Sequence, residues 1–209
     1  VKPFLVDRFV RLGIPLIVYF FLISPFTIAL ANPSPEISLI TQTLNMAKAK
    51  EFEPGPLWFV FSLLIFSIVF AFIYRYFPKT LGSINKIPSF INTLILLITV
   101  GLFAFLVRLI IPVGETLAWL QIGYFPMYIL LFLIGILASK KRLLSSIEFK
   151  NIKAWLAISL SLIALLPIVI RNPPGEGAFE GGANVNALFY ALWEPFVAIG
   201  VITGLLYFF

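Results

Sequence analysis

Two arginines three residues apart, Arg8 and Arg11, open a chain of 209 residues that has no histidine and no cysteine. At helical spacing they share a face, and two planar guanidinium forks on one face suit a phosphate-bearing ligand. The competing reading is an anchor that binds lipid headgroups. Arg108 lies inside an apolar run, about a turn from its end, and Glu194 lies about two turns into another. Charges at membrane depth are costly and default to function. Both residues fall toward the same membrane face, so they could pair. For Arg108 the alternative is snorkelling to the headgroups, whereas Glu194 precedes Pro195, which frees backbone groups at its own level. Pro56-Leu57-Trp58-Phe59 places an indole at headgroup depth, where a lone Trp ordinarily serves as an anchor. Without Cys or His, thiolate and imidazole metal sets are absent, and so is the commonest general base. No metal and no resident cofactor are expected.

The elements that must position these residues are membrane helices. The chain is 61% hydrophobic and 11% charged, with a mean hydropathy of +1.06, against about half apolar and a quarter charged for a soluble domain. Between Pro56 and Tyr74 there is no charge over a length of about 28 Å, close to one bilayer core. The pattern predicts an all-α, polytopic integral membrane bundle of six transmembrane helices forming one domain, 1–209. The spans are 12–31 (Pro15 in the first turn, Pro25 kinking it), 55–76, 90–111, 122–139, 154–170 and 187–209. Val1 to Gly13 is an amphipathic basic segment ahead of the first span. Within Asn32 to Pro54, Ser34-Pro35-Glu36 reads as a helix start, with Ile37, Ile40, Leu44 and Ala47 on one face of a helix lying on the membrane surface. Gly175 to Gly182 lacks the Lys and the following helix start of a phosphate loop and is read as a flexible connection.

The net charge of +6 does not indicate a nucleic-acid partner, because the basic residues collect in short loops. With the amino-terminal segment and every second loop in the cytoplasm, eleven of the 15 fall on that side: Lys2, Arg8, Arg11, Arg75, Lys79, Lys86, Lys140, Lys141, Arg142, Lys150 and Lys153. Lys48, Lys50, Arg108 and Arg171 fall on the other, a positive-inside bias that orients the chain.

Asp-Arg-Phe-Val-Arg-Leu-Gly-Ile-Pro (Asp7 to Pro15), a span, a loop, then Gly-Pro-Leu-Trp-Phe (Gly55 to Phe59) resemble membrane-bound acyltransferase family 3, nearest its glucan-modifying branch. The basic loop after Gly135-Ile-Leu-Ala fits the same pattern. The resemblance implies a protein of about ten spans, of which this chain is an internal piece, in a bacterial cytoplasmic membrane. It implies acyl transfer from a cytoplasmic acyl-CoA-type donor to a hydroxyl of an extracytoplasmic glycan. It places Arg8 and Arg11 at the donor side and matches Trp58 and Phe59 to the family's Leu-Trp-Phe element. The family's histidine would lie upstream of Arg8, so residues 1–209 alone are expected to be inactive. Arg8, Arg11, Trp58, Phe59, Arg108 and Glu194 are thus the substrate- or donor-binding candidates. A non-enzymatic component of polysaccharide or lipid export, with Arg108 and Glu194 lining a polar path, is the alternative.

Overall fold

The computed structural model describes residues 1–77, 88–141, 149–171, 175 and 177–208, and every regular element among them is helical. The helices are α1 (Lys2–Ala31), α2 (Leu39–Ala49), α3 (Gly55–Tyr76, opening on a 3-10 turn), α4 (Phe90–Arg108), α5 (Phe125–Lys141), α6 (Phe149–Ile170) and α7 (Val185–Phe208). Five of them, α1, α3, α4, α6 and α7, are long and apolar enough to cross a bilayer, and α5 belongs to a shorter apolar stretch, Ile122–Ala138. This is a helical membrane bundle. Its apolar surface is outward-facing to a degree that water would not tolerate: Leu22, Ile110 and Ile168 are 71%, 81% and 69% exposed. A helix supplies its own backbone hydrogen bonds, which lets such surface face lipid. The few hydroxyls in the apolar helices follow suit, with Ser62 donating to the Trp58 carbonyl (3.0 Å) and Ser67 to that of Leu63 (2.8 Å). Most of the basic segment Pro78–Ser89 lies outside the described residues. Of the expected loop 140–153, only residues 142–148 lie outside them, because α5 and α6 extend through Lys141 and from Phe149.

The chain divides into two compact units, Val1–Thr80 with Leu117–Leu120, and Leu81–Thr116 with Gln121–Phe209. In the first, α1 corrects the expected boundary. The helix starts at Lys2 rather than near Leu12, so the basic segment and the first span are one continuous helix. Two π-helical turns, Phe9–Gly13 and Tyr19–Ile23, interrupt it. Each ends two residues before a proline, Pro15 or Pro25. A proline has no N–H to give and crowds the carbonyl four residues back, and a widened turn relieves both.

α2 is capped by Ser38, whose Oγ accepts from the Thr41 N–H, and not by Ser34 as the sequence pattern implied. Ser34 instead donates its own N–H to Gln42 Oε1 at 3.2 Å, while Gln42 Nε2 donates to the Asn32 carbonyl. Gln42 is buried, whereas Ile40 and Leu44 are exposed, so the helix turns a polar residue inward and its apolar stripe outward. That inversion suits a membrane surface. The loop continues inward, and the Glu53 N–H donates to the buried Ser24 Oγ at 2.8 Å.

In the second unit α7 is the central helix, packed between α4 and α6. Small residues set both contacts. Gly101 of α4 meets Ala191 and Leu192 of α7, where a Cβ on Gly101 would stand 2.9 Å from the Ala191 carbonyl, and Ala104, Ala187 and Ala191 are buried. That carbonyl loses its intrahelical donor at Pro195. On the other side Gly200 lies directly against Trp155 and Ser159 of α6. Leu97, Met127, Trp155 and Ile199 form the core between these helices, and Phe90 stacks on Trp155 with centroids 4.7 Å apart.

Candidate functional site

Arg108 is the last residue of α4, nearer the helix end than its place in the apolar run suggested, and its side chain is fully buried. Burying a guanidinium requires partners in every direction it presents. Nε donates to the Gly123 carbonyl at 3.0 Å, and Nη2 is hydrogen-bonded and ion-paired to Glu194 Oε2. The pair allowed by the sequence is therefore formed, and Arg108 does not snorkel. Its Cζ lies 5.5 Å from the Tyr124 ring centroid and 5.3 Å from that of Tyr190, so the cation sits between two aromatic faces. Nη1 has no hydrogen-bond partner among the described residues.

Each wall of this site follows from the local fold. Tyr190 and Glu194 are one turn apart on α7 and share a face. Tyr124 closes the 3-10 turn Ile122–Tyr124, which also aims the Gly123 carbonyl at the guanidinium. Tyr128 stacks on Tyr124 (5.7 Å, 16°) and Trp193 on Tyr190 (5.8 Å, 17°), and Trp193 Nε1 donates to the Leu162 carbonyl of α6. Arg108 and Glu194 were legible as charges in apolar runs. The tyrosines were not, since aromatic excess in a membrane chain reads as lipid-facing bulk. The available signal was their hydroxyl tips: Tyr190 stands four residues before Glu194, and Tyr124 follows a glycine at the start of a span.

The Gly-rich segment is not the loose connection that its composition suggested. Val113 donates its N–H to the Glu180 carbonyl (2.8 Å), Gly182 to that of Arg108 (3.4 Å), and Asn184 caps α7 by accepting from the Ala187 N–H (2.9 Å). Backbone pairing fixes it against the end of α4. Between these strands of loop lies an open cleft of about 570 Å³ lined by Pro112, Gly114, Glu115, Gly177, Glu180 and Gly182.

In the first unit Arg8 and Arg11 lie at one end of α1 but differ in setting. The Arg8 guanidinium lies over the Phe4 ring (5.2 Å), and its Nε is buried with no hydrogen-bond partner among the described residues. Arg11 is exposed and pairs with Asp7, one turn back, at 2.8 Å. Arg11 lies within the π turn Phe9–Gly13 and Arg8 immediately precedes it, so the angular step between the two differs from that of a regular α-helix. Trp58 begins the regular part of α3, and its ring meets Phe59 edge-on at 6.2 Å. Gly55, just before it, has φ of +45°, and a Cβ there would come within 2.5 Å of the Tyr19 hydroxyl. Both the conformation and the space demand glycine. Tyr19 lies in the second π turn of α1, so the Gly-Pro-Leu-Trp-Phe run begins as a seat for that tyrosine.

Nearby, Leu117 and Leu120 exchange backbone hydrogen bonds (2.9 and 3.0 Å) around Ala118 and Trp119, both with positive φ (49° and 64°). Trp119 packs edge-on against Phe20 (5.4 Å) over an apolar pocket of about 210 Å³ lined also by Leu16, Ile17, Phe21, Pro54 and Phe61.

No curated protein and no solved structure matches this chain. The family model described as Acyltransferase domain matches residues 1–209 in full, over the arginine pair, the Leu-Trp-Phe element and the Arg108–Glu194 site alike, and the chain belongs to that family, acyltransferase family 3.

Proposed function

We propose that this chain is part of a membrane O-acyltransferase that moves an acyl group from a cytoplasmic acyl-CoA-type donor to a carbohydrate hydroxyl on the far side of a bacterial inner membrane. The observation that carries the reading is the family match across residues 1–209. In such a transfer the hydroxyl oxygen attacks the thioester carbonyl carbon, the C–S bond breaks, and the hydroxyl proton passes to a general base. The chain has no histidine, so its own residues bind and orient the reactants rather than supply an imidazole base. Acyl transfer by purified 1–209 is accordingly expected to be absent. Arg8 is the better-placed donor ligand of its pair, because it has no ion-pair partner among the described residues while Arg11 is already held by Asp7. A phosphate would complete Arg8 by a charge-assisted bond. Trp58 and Phe59 are the companion candidates at the start of α3. The donor is a substrate, and no resident cofactor is assigned. The basic excess on alternate loops supports a cytoplasmic amino-terminal segment.

The test is donor binding. In the acyltransferase carrying these residues, Arg8→Ala with Arg11→Ala should weaken acyl-CoA binding at normal expression. Lys at both positions should restore only part of it, because an ammonium cannot make the bidentate contact. Unchanged donor affinity in the double Ala variant returns the pair to a lipid-anchoring role.

A further inference from the structure

We infer that the amino-terminal unit thins the hydrophobic barrier to less than half of a bilayer core, with water reaching Arg11 from one side and the Glu53–Pro56 turn from the other. The inference rests on how α1 and α3 are offset, not on the proposed reaction.

The first observation is the register of the two helices. Phe4 meets Phe70 edge-on with ring centroids 5.8 Å apart, Tyr19 lies against Gly55, and the Ser24 hydroxyl accepts the Glu53 N–H at 2.8 Å. α1 and α3 are therefore antiparallel, with Arg11 level with the middle of α3 and Gly55 level with a point just past the middle of α1. The second is charge. α1 carries none from Leu12 to Ala31, and α3 none from Gly55 to Tyr74. Either run is long enough to fill a core of about 30 Å. Offset as they are, both cannot fill the same one. A bilayer centred on the α3 run would put the exposed Asp7–Arg11 ion pair near its midplane. A bilayer centred on the α1 run would put Glu53, Gly55 and Pro56 there, all of them exposed. The third is backbone. Glu51 to Pro54 is not helical, and such backbone is stable at membrane depth only inside protein or beside water. What both helices leave helical and charge-free is the stretch from Arg11 to Tyr19, about 12 Å. The side chains at that level, Leu16, Ile17 and Phe61 among them, line the apolar pocket of this unit, as a dry septum requires.

The experiment uses the purified chain, free of native cysteine, in dioleoylphosphatidylcholine nanodiscs, whose two faces are both open to reagent. Single cysteines are treated with a charged methanethiosulfonate, which reacts with the hydrated thiolate. The rival account is a core of full thickness, with Arg11 snorkelling one way and Glu53 the other. A cysteine is too short to snorkel, so it reports water at the depth of its own backbone. Arg11→Cys, Glu53→Cys and Pro56→Cys should react within about tenfold of the rate of Glu36→Cys, in the exposed loop before α2, because all are hydrated thiols. Ile17→Cys should react at least about a hundredfold more slowly, since its position is exposed on the helix yet faces hydrocarbon. Every position is on the surface, and Glu53→Cys keeps the N–H that Ser24 accepts, so the variants are expected to fold. Protection of Arg11→Cys alone places the core on α3, and protection of Glu53→Cys and Pro56→Cys places it on α1. Protection at all of these positions is the snorkelling result. Each of these overturns the inference, and so does rapid reaction at Ile17→Cys. No acyl donor or acceptor is present, so a failed transfer or donor-binding assay leaves this result untouched, and a core of full thickness leaves the transferase reading standing.

Discussion

Gly200→Ala should force α6 and α7 apart, and the structure says by how much. A Cβ at Gly200 would stand 1.6 Å from Ser159 Oγ and 2.3 Å from the Trp155 carbonyl oxygen. The first clash is with a side chain, but the second is with backbone, about 1 Å inside the distance of about 3.3 Å at which a carbon meets a carbonyl oxygen. Rotating Ser159 therefore cannot relieve it. Overpacking of this kind costs about 1–3 kcal/mol, and a backbone clash in the tightest helix contact belongs at the upper end. Gly204→Ala is the control. Its Cβ would meet only Leu156 Cδ1 at 2.8 Å, and a leucine tip can turn away for about 1 kcal/mol. The two variants should differ by about 2 kcal/mol, or about 30-fold in the unfolding equilibrium, when denatured in parallel in mixed micelles. Adding Ser159→Gly to Gly200→Ala should recover little, because the Trp155 carbonyl remains. Equal stability of Gly200→Ala and Gly204→Ala, or full recovery with Ser159→Gly, would refute the close-contact account of how α6 and α7 pack.

Other outcomes follow from particular residues. Gly55→Ala should lower the thermal midpoint by the equivalent of about 1–2 kcal/mol, the cost of a left-handed L-residue, and Tyr19→Phe should not rescue it, since the ring itself lies 3.2 Å from the new Cβ. Ala118→Gly should raise the midpoint, because the turn then holds its positive φ without a Cβ; a lower midpoint would show that the turn carries no strain. Single cysteines in this cysteine-free chain should react with an impermeant reagent from outside at Ser34 but not at Ser83 or Arg142, and the reverse would invert the orientation. In the donor-binding assay, Arg8→Lys should weaken binding more than Arg11→Lys, and equal effects would mean that the Asp7 pairing leaves Arg11 free to bind.

The spans were legible because an uncharged apolar run of this length has few other ways to satisfy its backbone. The Arg108–Glu194 pair was legible for a related reason: two charges in separate apolar runs at one level have strong cause to meet. What the residue pattern hid was local. Ser34-Pro35-Glu36 has every mark of a helix start, yet Gln42 takes the Ser34 N–H and Ser38 becomes the cap, a choice made by a side chain eight residues away. The Gly-rich segment resembled a free linker because nothing in its composition shows that Val113 and Arg108 supply its backbone partners. The seat of Gly55 against Tyr19 was equally invisible, since it joins two elements more than thirty residues apart.

The π turns of α1 bear on how this helix is to be compared with any other. A π turn is an α-helix with one residue inserted, and each insertion rotates everything before it by about 100° relative to everything after. α1 carries two, at Phe9–Gly13 and Tyr19–Ile23, so it is three short helices in different angular phase joined end to end. A helical wheel drawn through Arg8, Tyr19 and Pro25 as one regular series assigns their faces wrongly. A gap of one residue at either turn is the natural place for lengths to differ between otherwise alignable helices. Deleting one residue from the first turn would act as a dial: it would swing Arg8 about the helix axis while leaving Tyr19 on Gly55 and Ser24 on Glu53 in place.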